Sequence, residues 1–485
     1  MSNAEPVRVP NKTADSQDFK KEINLFGGVC VVGGVMIGSG IFYLGSFVME
    51  RANYSIGVSL LCWLLGGLIS IFGGVCFAEL GGMMPKTGGL TVYLNQTYHP
   101  VVGYVYGFSQ WILASPGAVA AISIAIPTAF LGLIPGMGDA HVKAIGIFLV
   151  VGLTLYNIIG VKEVSILTNI TMIAKLIPLF IIIIGALFMG GESPNLSLIP
   201  VGSAGQSVGA ASFIGIVALS TIATLWAYAG WSNIANIAEE IKNPKKNLPW
   251  SMIIGISGVT VVYVLFNFAI YKVIPQVEAR ALIEGGNYYL GTEVAVRLFG
   301  NAGGIIVLAG MLVSMLGALN AFILVFSRIA YAMAKEGHFF RNHAKLSKRG
   351  IPYMPLLTQA AISIIMIIFQ TLEQLMTMVV FLGMIGSVLG VAAVIVCRKR
   401  FPDMERTYKV WGYPTTVIIT IILFIMLMIN NFIEEPIISI IGLFVVPAVG
   451  LLIYLYYDKK NKKKESINNK HQAHNAIMRN HNAQP

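Results

Sequence analysis

Two stretches of the chain place glycine and polar residues inside otherwise apolar segments. The first is VMIGSGIF, residues 35–42, and the second is TLWAYAGWSN, residues 224–233. Glycine costs a helix interior about 1 kcal/mol relative to alanine, and lipid offers no water to a freed backbone N–H group. We therefore expect both stretches to interrupt a membrane helix, and each interruption needs compensation or a function.

An unwound point inside a membrane helix exposes backbone groups of both signs. N–H groups at the start of the following half-helix bind an anion such as a carboxylate, and C=O groups that end the preceding one bind an ammonium or Na⁺. Together they recognise a zwitterion, and the first stretch offers Met36, Ile37, Gly38, Ser39 and Gly40. The alternative is that the two glycines only let helices pack closely; the second interruption favours a binding site.

The elements that must position these residues are membrane spans. Apolar residues make up 56% of the 485 positions and charged residues only 11%, which is far too little charge for a soluble protein of this size. Segments of about 20 apolar residues occur twelve times, at 24–49, 56–82, 101–132, 142–160, 164–190, 209–240, 249–273, 302–334, 354–370, 374–397, 412–431 and 436–457. The two interruptions fall in spans 1 and 6, as in transporters that repeat a five-span unit in inverted orientation.

The distribution of lysine and arginine predicts the orientation. With the N-terminus inside, cytoplasmic segments hold 26 of the 33 basic residues, and outer loops hold 5. This asymmetry predicts that both termini are cytoplasmic. It also explains the net charge of +11, because basic residues mark the anionic membrane face. No segment offers the folded basic surface that nucleic-acid binding needs, so no nucleic-acid partner is expected.

Two ionisable residues inside the spans have more than one interpretation. Lys175, in span 5, has three interpretations: its ammonium takes the place of a coupling cation, it carries a proton, or it extends to the cytoplasmic interface. Glu79, late in span 2, either pairs structurally with a lysine or the backbone, or carries a proton.

Other kinds of chemistry are not supported by the sequence. The four cysteines, at positions 30, 62, 76 and 397, lie in apolar stretches without disulfide or metal spacing. No catalytic triad, HExxH motif or phosphate-binding loop occurs in a plausible context. We therefore expect no enzyme activity, no cofactor and no metal.

Eight short motifs, in this order and spacing, resemble the amino acid–polyamine–organocation superfamily, and most closely its L-type amino acid transporter branch and the bacterial serine/threonine exchangers. The motifs are IGSGIF (37–42), AELGGMMPKTGGL (78–90), NIIGVK (157–162), KLIP (175–178), WAYAGW (226–231), EEIKNPKKNLP (239–249), LGALN (316–320) and CRKRFPDMERTYKVWGYP (397–414).

The resemblance implies an all-α polytopic fold of twelve transmembrane helices. Two inverted five-helix repeats, broken in helices 1 and 6, would be followed by two further helices. The corresponding segments are a cytoplasmic tail at 1–22, the repeats at 23–200 and 201–400, helices 11 and 12 at 401–457, and a disordered tail at 458–485.

The resemblance also implies roles for residues at the two breaks. Ser39 and Gly40 would offer N–H groups to the substrate carboxylate, and the carbonyl groups of Met36, Trp226 and Ala227 would receive its amino group. Trp226 would be the aromatic gate above the substrate.

Further roles concern coupling. Lys175 would stand where sodium-coupled relatives hold a cation, and would link the unwound part of span 1 to span 8, where Asn320 lies.

The chain departs from the family pattern at the pocket. Relatives often carry Phe where Trp226 stands and Asp or Gly where Ala229 stands. The larger indole favours a small substrate side chain, and the lack of an acidic pocket residue disfavours a cationic substrate. Animal relatives bind an accessory subunit through a cysteine between spans 3 and 4; the loop LIPGMGDAHVK has none, so no disulfide-linked subunit is expected.

These features predict a bacterial inner-membrane exchanger of small neutral L-amino acids such as serine, threonine and alanine, working by alternating access. The alternatives are a proton-coupled amino acid importer or a polyamine carrier of the same fold, and a sensor that binds without transporting.

Overall fold

The computed structural model describes residues 23–38, 40–85, 89–131, 134–159, 176–198, 209–335, 337–347 and 351–462. In these ranges the regular structure is helical, apart from one isolated β-bridge between Ile23 and Ile241. The prediction of an all-α polytopic membrane protein is confirmed. The predicted tail 1–22 and residues 463–485 lie outside the described residues.

Fifteen helices occur in the described part of the chain. The first eight are α1 Leu25–Met36, α2 Gly40–Arg51, α3 Ile56–Met83, α4 Gly89–Thr97, α5 Pro100–Thr128, α6 Asp139–Ile159, α7 Leu176–Met189 and α8 Ala210–Ala227. The others are α9 Pro244–Tyr271, α10 Gln276–Glu284, α11 Leu290–Lys335, α12 Tyr353–Phe369, α13 Leu372–Arg400, α14 Thr415–Glu434 and α15 Pro436–Lys462.

Most of these helices are apolar enough to cross a membrane. Among the described residues nine pass by length and composition, or ten if the bent pair α1 and α2 counts as one span. The shorter apolar helices α7 and α12 fall within predicted spans 5 and 9. Every predicted span therefore overlaps a helix.

Several predicted boundaries differ from the observed ones. Helix α15 continues to Lys462, five residues beyond predicted span 12, so the start of the tail predicted to be disordered from 458 is helical. Helix α11 begins at Leu290, twelve residues before predicted span 8. A kink at Gly300, where φ is 70°, divides it into a short helix before predicted span 8 and a long one that contains it; glycine adopts this conformation at little cost. Helix α9 begins at Pro244 rather than at 249, since proline is tolerated in the first turn of a helix.

Small residues bring α3 close to α8 and α9. A Cβ atom at Gly66 would lie 2.1 Å from Oγ1 of Thr224, and one at Gly67 would lie 2.3 Å from Cγ2 of Thr260. Such close approach stabilises helix pairs in membranes, where dispersion contacts replace the hydrophobic effect. Helices α3, α8 and α9 therefore pack tightly against one another, and α8 is the helix that leads into the second interruption.

A buried carboxylate joins three parts of the chain at the end of α3. The carboxylate of Glu79 is fully buried, and Arg398 donates to both of its oxygens, at 2.8 Å from Nε and 2.6 Å from Nη2. The backbone N–H of Val410 donates to it at 2.7 Å, and Nε of Arg406 lies 3.6 Å away. The partners of Glu79 are thus arginines and a backbone group, and they connect α3, α13 and the segment 401–414.

The segment 401–414 also contacts the start of α9. The hydroxyl of Thr407 donates to the carbonyl oxygen of Lys245 at 2.7 Å, and the Lys245 ammonium pairs with the carboxylate of Glu405. This segment therefore covers the adjacent ends of α3, α9 and α13, and Glu79 is its buried attachment point.

Candidate functional site

The first predicted interruption is present. Helix α1 ends at Met36, α2 begins at Gly40, and their axes differ by 53°. Between them, the Ile37 N–H bonds to the carbonyl of Gly33 at 2.8 Å, and the Gly38 N–H bonds to the carbonyl of Met36 at 2.8 Å. The helix therefore opens at the predicted glycines.

The second interruption is also present. Helix α8 ends at Ala227, and a 3₁₀ helix follows from Trp231 to Glu240. Between them Gly230 has a φ of 102°, a left-handed conformation that favours glycine, and Ala229 is exposed. An apolar helix thus breaks where the sequence changes to glycine and polar residues.

The two breaks contact each other. A Cβ atom at Gly40 would lie 2.8 Å from Cδ1 of Trp226 and 3.3 Å from Cα of Ala227. In the reverse direction, a Cβ atom at Gly230 would lie 2.6 Å from Cγ1 of Val35. Each glycine therefore packs on the other interrupted segment, and the two breaks form one site.

A tyrosine that sequence analysis missed bonds to both breaks. The hydroxyl of Tyr263, in α9, lies 2.7 Å from the carbonyl oxygen of Met36 and 3.1 Å from that of Ala227. Its ring is fully buried and packs against Trp63 and Tyr228. The signal in the sequence was a tyrosine hydroxyl within apolar span 7. One side chain thus fixes the spacing between the last carbonyl groups of the two half-helices.

Two of the predicted site residues, Ser39 and Lys175, lie outside the described residues. Asn320 is described and fully buried in α11, where its Oδ1 accepts from Nδ2 of Asn157 at 2.7 Å. The Nδ2 atom of Asn320 has no partner among the described residues. This polar side chain connects α11 to α6, and its NH₂ group is unpartnered in the part of the chain that the structure describes.

Trp226 separates the meeting point of the breaks from a small cavity. This cavity lies between α2, α8 and α13, has a volume of about 10 Å³, and is also lined by Arg51 and Thr377. A volume of roughly 10–15 Å³ accommodates one water molecule. The indole therefore lies between the contact of the two breaks and this cavity, which is too small for an amino acid; its role as a gate stays a prediction.

A larger groove lies between α1, α7 and α11 and has a volume of about 1400 Å³. Its lining consists of glycine, alanine, cysteine and apolar side chains, among them Cys30 and Phe188, which is 86% exposed. Such a lining offers no side-chain partner for a carboxylate or an ammonium, and large exposed apolar side chains suit the lipid phase. We do not assign the substrate to this groove.

The glycines of the first break are predicted to tolerate alanine unequally. Gly40→Ala would push a methyl group into Trp226 and Ala227, and overpacking of this kind costs about 1–3 kcal/mol of stability. Because this cost falls on the state in which the two breaks touch, we expect a loss of roughly ten-fold in transport rate. Gly38→Ala meets only the Met36 carbonyl oxygen, at 3.9 Å, and should lose less than about two-fold. Initial rates of amino acid exchange, normalised to protein in the vesicles, measure both; equal losses would contradict the packing assigned to Gly40.

Comparison with known proteins identifies several relatives of the chain. A sequence family described as amino acid permease matches residues 23–455. The chain is 33% identical over 411 residues to the serine/threonine exchanger SteT of Bacillus subtilis, covering 84% of this chain and 90% of that protein. It is 29% identical over 468 residues to the b(0,+)-type amino acid transporter 1 of Mus musculus (93% and 91%) and 27% identical over 466 residues to the human cystine/glutamate transporter (93% and 89%).

Proposed function

This chain belongs to the amino acid permease family and is a membrane transporter of amino acids rather than an enzyme, and from that premise we propose that it exchanges small neutral L-amino acids across a bacterial cell membrane. The observation that carries the proposal is the contact between the two broken helices, at Gly40 on Trp226 and Gly230 on Val35. This contact brings half-helix starts and ends together, as recognition of a zwitterion requires.

We assign the two ends of the substrate to different breaks. The first N–H groups of α2, at Ser39 and Gly40, would bind the carboxylate, because the opening turn of a helix has free donors and a positive dipole end. The carbonyl groups of Met36, Trp226 and Ala227 would receive the ammonium. Since Tyr263 already contacts two of these carbonyls, the bound ammonium would share them with its hydroxyl.

The packing of Trp226 at the first break favours a small substrate side chain. Trp226 packs directly on Gly40, which leaves its indole above the first break where a long substrate side chain would have to extend. Serine, threonine and alanine are the substrates that this arrangement favours. The name of the Bacillus subtilis relative supports the same class.

The arrangement in the membrane follows the family. We propose twelve spans, formed by two inverted repeats at 23–200 and 201–400 and two further helices, with both termini in the cytoplasm. The helices that overlap every predicted span and the asymmetry of lysine and arginine support this topology. The loop between spans 3 and 4 lacks cysteine, so we propose no disulfide-linked subunit.

Coupling is assigned to Lys175 and Asn320. An ammonium fixed inside the membrane can replace a coupling cation, and Asn320 supplies a buried amide in α11 whose Nδ2 has no partner among the described residues. We infer that Lys175 is a fixed cation and that exchange needs no ion gradient. The second candidate, proton-coupled import, would require Lys175 or Glu79 to release a proton, and Glu79 is held by Arg398.

Counterflow in proteoliposomes tests the proposed function. Vesicles are loaded with unlabelled serine and offered external labelled serine, threonine, alanine, leucine, arginine or putrescine. We expect uptake of the small neutral amino acids alone, and only when serine is inside. Uptake into empty vesicles driven by an acidic exterior would favour a proton-coupled importer, uptake of putrescine a polyamine carrier, and binding without counterflow a sensor.

A further inference from the structure

Arg51 is the last residue of α2, the half-helix that follows the first break. Its Nη1 atom lies 3.3 Å from the carbonyl oxygen of Leu219 in α8, and its Nη2 atom lies 2.5 Å from Oε1 of Glu373 in α13. The Arg51 side chain is only 13% exposed, whereas that of Glu373 is 50% exposed. One guanidinium thus connects three helices at the end of the site beyond Trp226.

The space between this ion pair and Trp226 is almost filled. Arg51 and Trp226 line the same cavity of about 10 Å³, so roughly one water molecule fits between them. An amino acid cannot reach the contact between the breaks from this end while α2, α8 and α13 stay together. Opening this end requires α2 to separate from α13, and that separation breaks the ion pair.

The two partners differ in how firmly they are held. Glu373 lies in the first turn of α13, a continuous 29-residue helix whose start is fixed by a capping box between Thr371 and Gln374. Arg51 ends a 12-residue half-helix that meets α1 at an angle of 53°. The break gives α2 a hinge that α13 lacks, so we expect the arginine to move and the glutamate to remain.

Other acidic groups act on the same region. Glu50 and Glu435 both interact electrostatically with Glu373 and with Arg51, and Glu284 also acts on Glu50. Arg51 therefore neutralises part of the negative charge of Glu50, Glu373 and Glu435 at this end, whereas Glu284 pairs with Arg280. Without the charge of Arg51, the carboxylates of Glu50 in α2 and Glu373 in α13 repel each other, which favours separation of the two helices.

We propose that Arg51 and Glu373 are positioning residues of the transport cycle, forming an outer ion-pair latch that stabilises the state closed to the outside. This inference rests on the proposed exchange function and on the predicted orientation. It differs from the gate role of Trp226, because the latch contacts no substrate. It acts through the angle between α2 and α13.

The test compares the two sides of the membrane. Serine exchange is measured in right-side-out and inside-out vesicles for the wild type, Arg51→Gln, Glu373→Gln and the double variant R51E/E373R. The apparent affinity for serine on one side scales with the fraction of protein that is open to that side. Losing part of the state closed to the outside therefore raises the apparent affinity for external serine and lowers that for internal serine. For each single variant we expect an outer half-saturation constant lower by about three- to ten-fold, an inner constant higher by a similar factor, and a slower maximal rate.

The double variant should restore both constants towards the wild type, because it reforms the pair with reversed polarity. If the double variant does not fold, Arg51→Lys takes its place in the test. This substitution keeps the charge, so both constants should stay near those of the wild type. Asp139→Asn is the matched control, since Asp139 pairs with Lys143 within one helix on the same predicted side. It should change neither constant.

The outcomes separate this proposal from the proposed function. If wild-type vesicles exchange no serine, the proposed function fails before the variants are compared. If the wild type exchanges serine, equal changes of both constants in one direction would overturn the latch. A double variant that folds but resembles the single variants would overturn it as well.

Discussion

Tyr263→Phe is expected to lower the apparent affinity for serine roughly ten-fold while the protein stays folded. The hydroxyl lies 2.7 Å from the Met36 carbonyl oxygen and 3.1 Å from that of Ala227. Without it, two buried acceptors at the ends of the half-helices lose a shared donor, at about 1–3 kcal/mol. They also lose the group that sets their spacing. The measurement is the half-saturation constant of serine exchange, together with thermal stability in detergent.

Tyr104→Phe is the matched control for this substitution. The Tyr104 hydroxyl donates to the His338 carbonyl oxygen at 2.8 Å, so the variant loses a comparable hydrogen bond in another aromatic cluster. That bond holds α5 to the segment after α11, in a different hydrophobic cluster from the two half-helix ends. We expect a similar loss of stability with little change in affinity. Equal losses of affinity would mean that Tyr263 supports packing alone.

Glu79→Gln is expected to destabilise the protein strongly. The change removes the charge that Arg398 and Arg406 face and leaves both guanidiniums partly buried without their carboxylate. Breaking a buried ion pair by removing one partner costs about 3–5 kcal/mol. The measurements are the yield of monodisperse protein and its unfolding temperature in detergent. Transport by the surviving fraction should be lower because the segment 401–414 is no longer anchored.

Glu405→Gln provides the comparison for Glu79. Glu405 lies in the same segment and pairs with Lys245, but its side chain is 69% exposed, and exposed pairs contribute about 0–1 kcal/mol. A Glu79→Gln protein as stable as Glu405→Gln would contradict the anchoring role. A stable Glu79→Gln protein that loses only pH-driven uptake would instead support the proton-carrying interpretation.

The sequence predicts local events well in this chain. Apolar runs of the right length predict where helices lie, and the glycines at 38, 40 and 230 predict where two of them open. Both signals depend on residues within one or two helical turns, so the sequence alone is enough to recognise them. The kink at Gly300 is also local, but an isolated glycine in a helical pattern does not distinguish a bend from simple packing.

Contacts between distant segments could not be predicted from the sequence. Arg51 and Glu373 are 322 residues apart, and Glu79 and Arg398 are 319 apart. Each charged residue had several candidate partners, and only the packing of α2 and α3 against α13 selects one. The hydroxyl of Tyr263 likewise acquires its role from the place where two half-helices end, which an apolar span alone does not reveal.

The cysteines of the chain have a practical consequence for following α1. Cys30 is exposed on this half-helix, whereas Cys62, Cys76 and Cys397 are buried. A membrane-permeant maleimide spin label or fluorophore should therefore attach at one position without any engineered thiol. That position lies about two helical turns before the first break. The wild-type chain thus carries a natural spectroscopic reporter on the half of its first span that precedes the break, suited to single-molecule and electron paramagnetic resonance measurements during turnover.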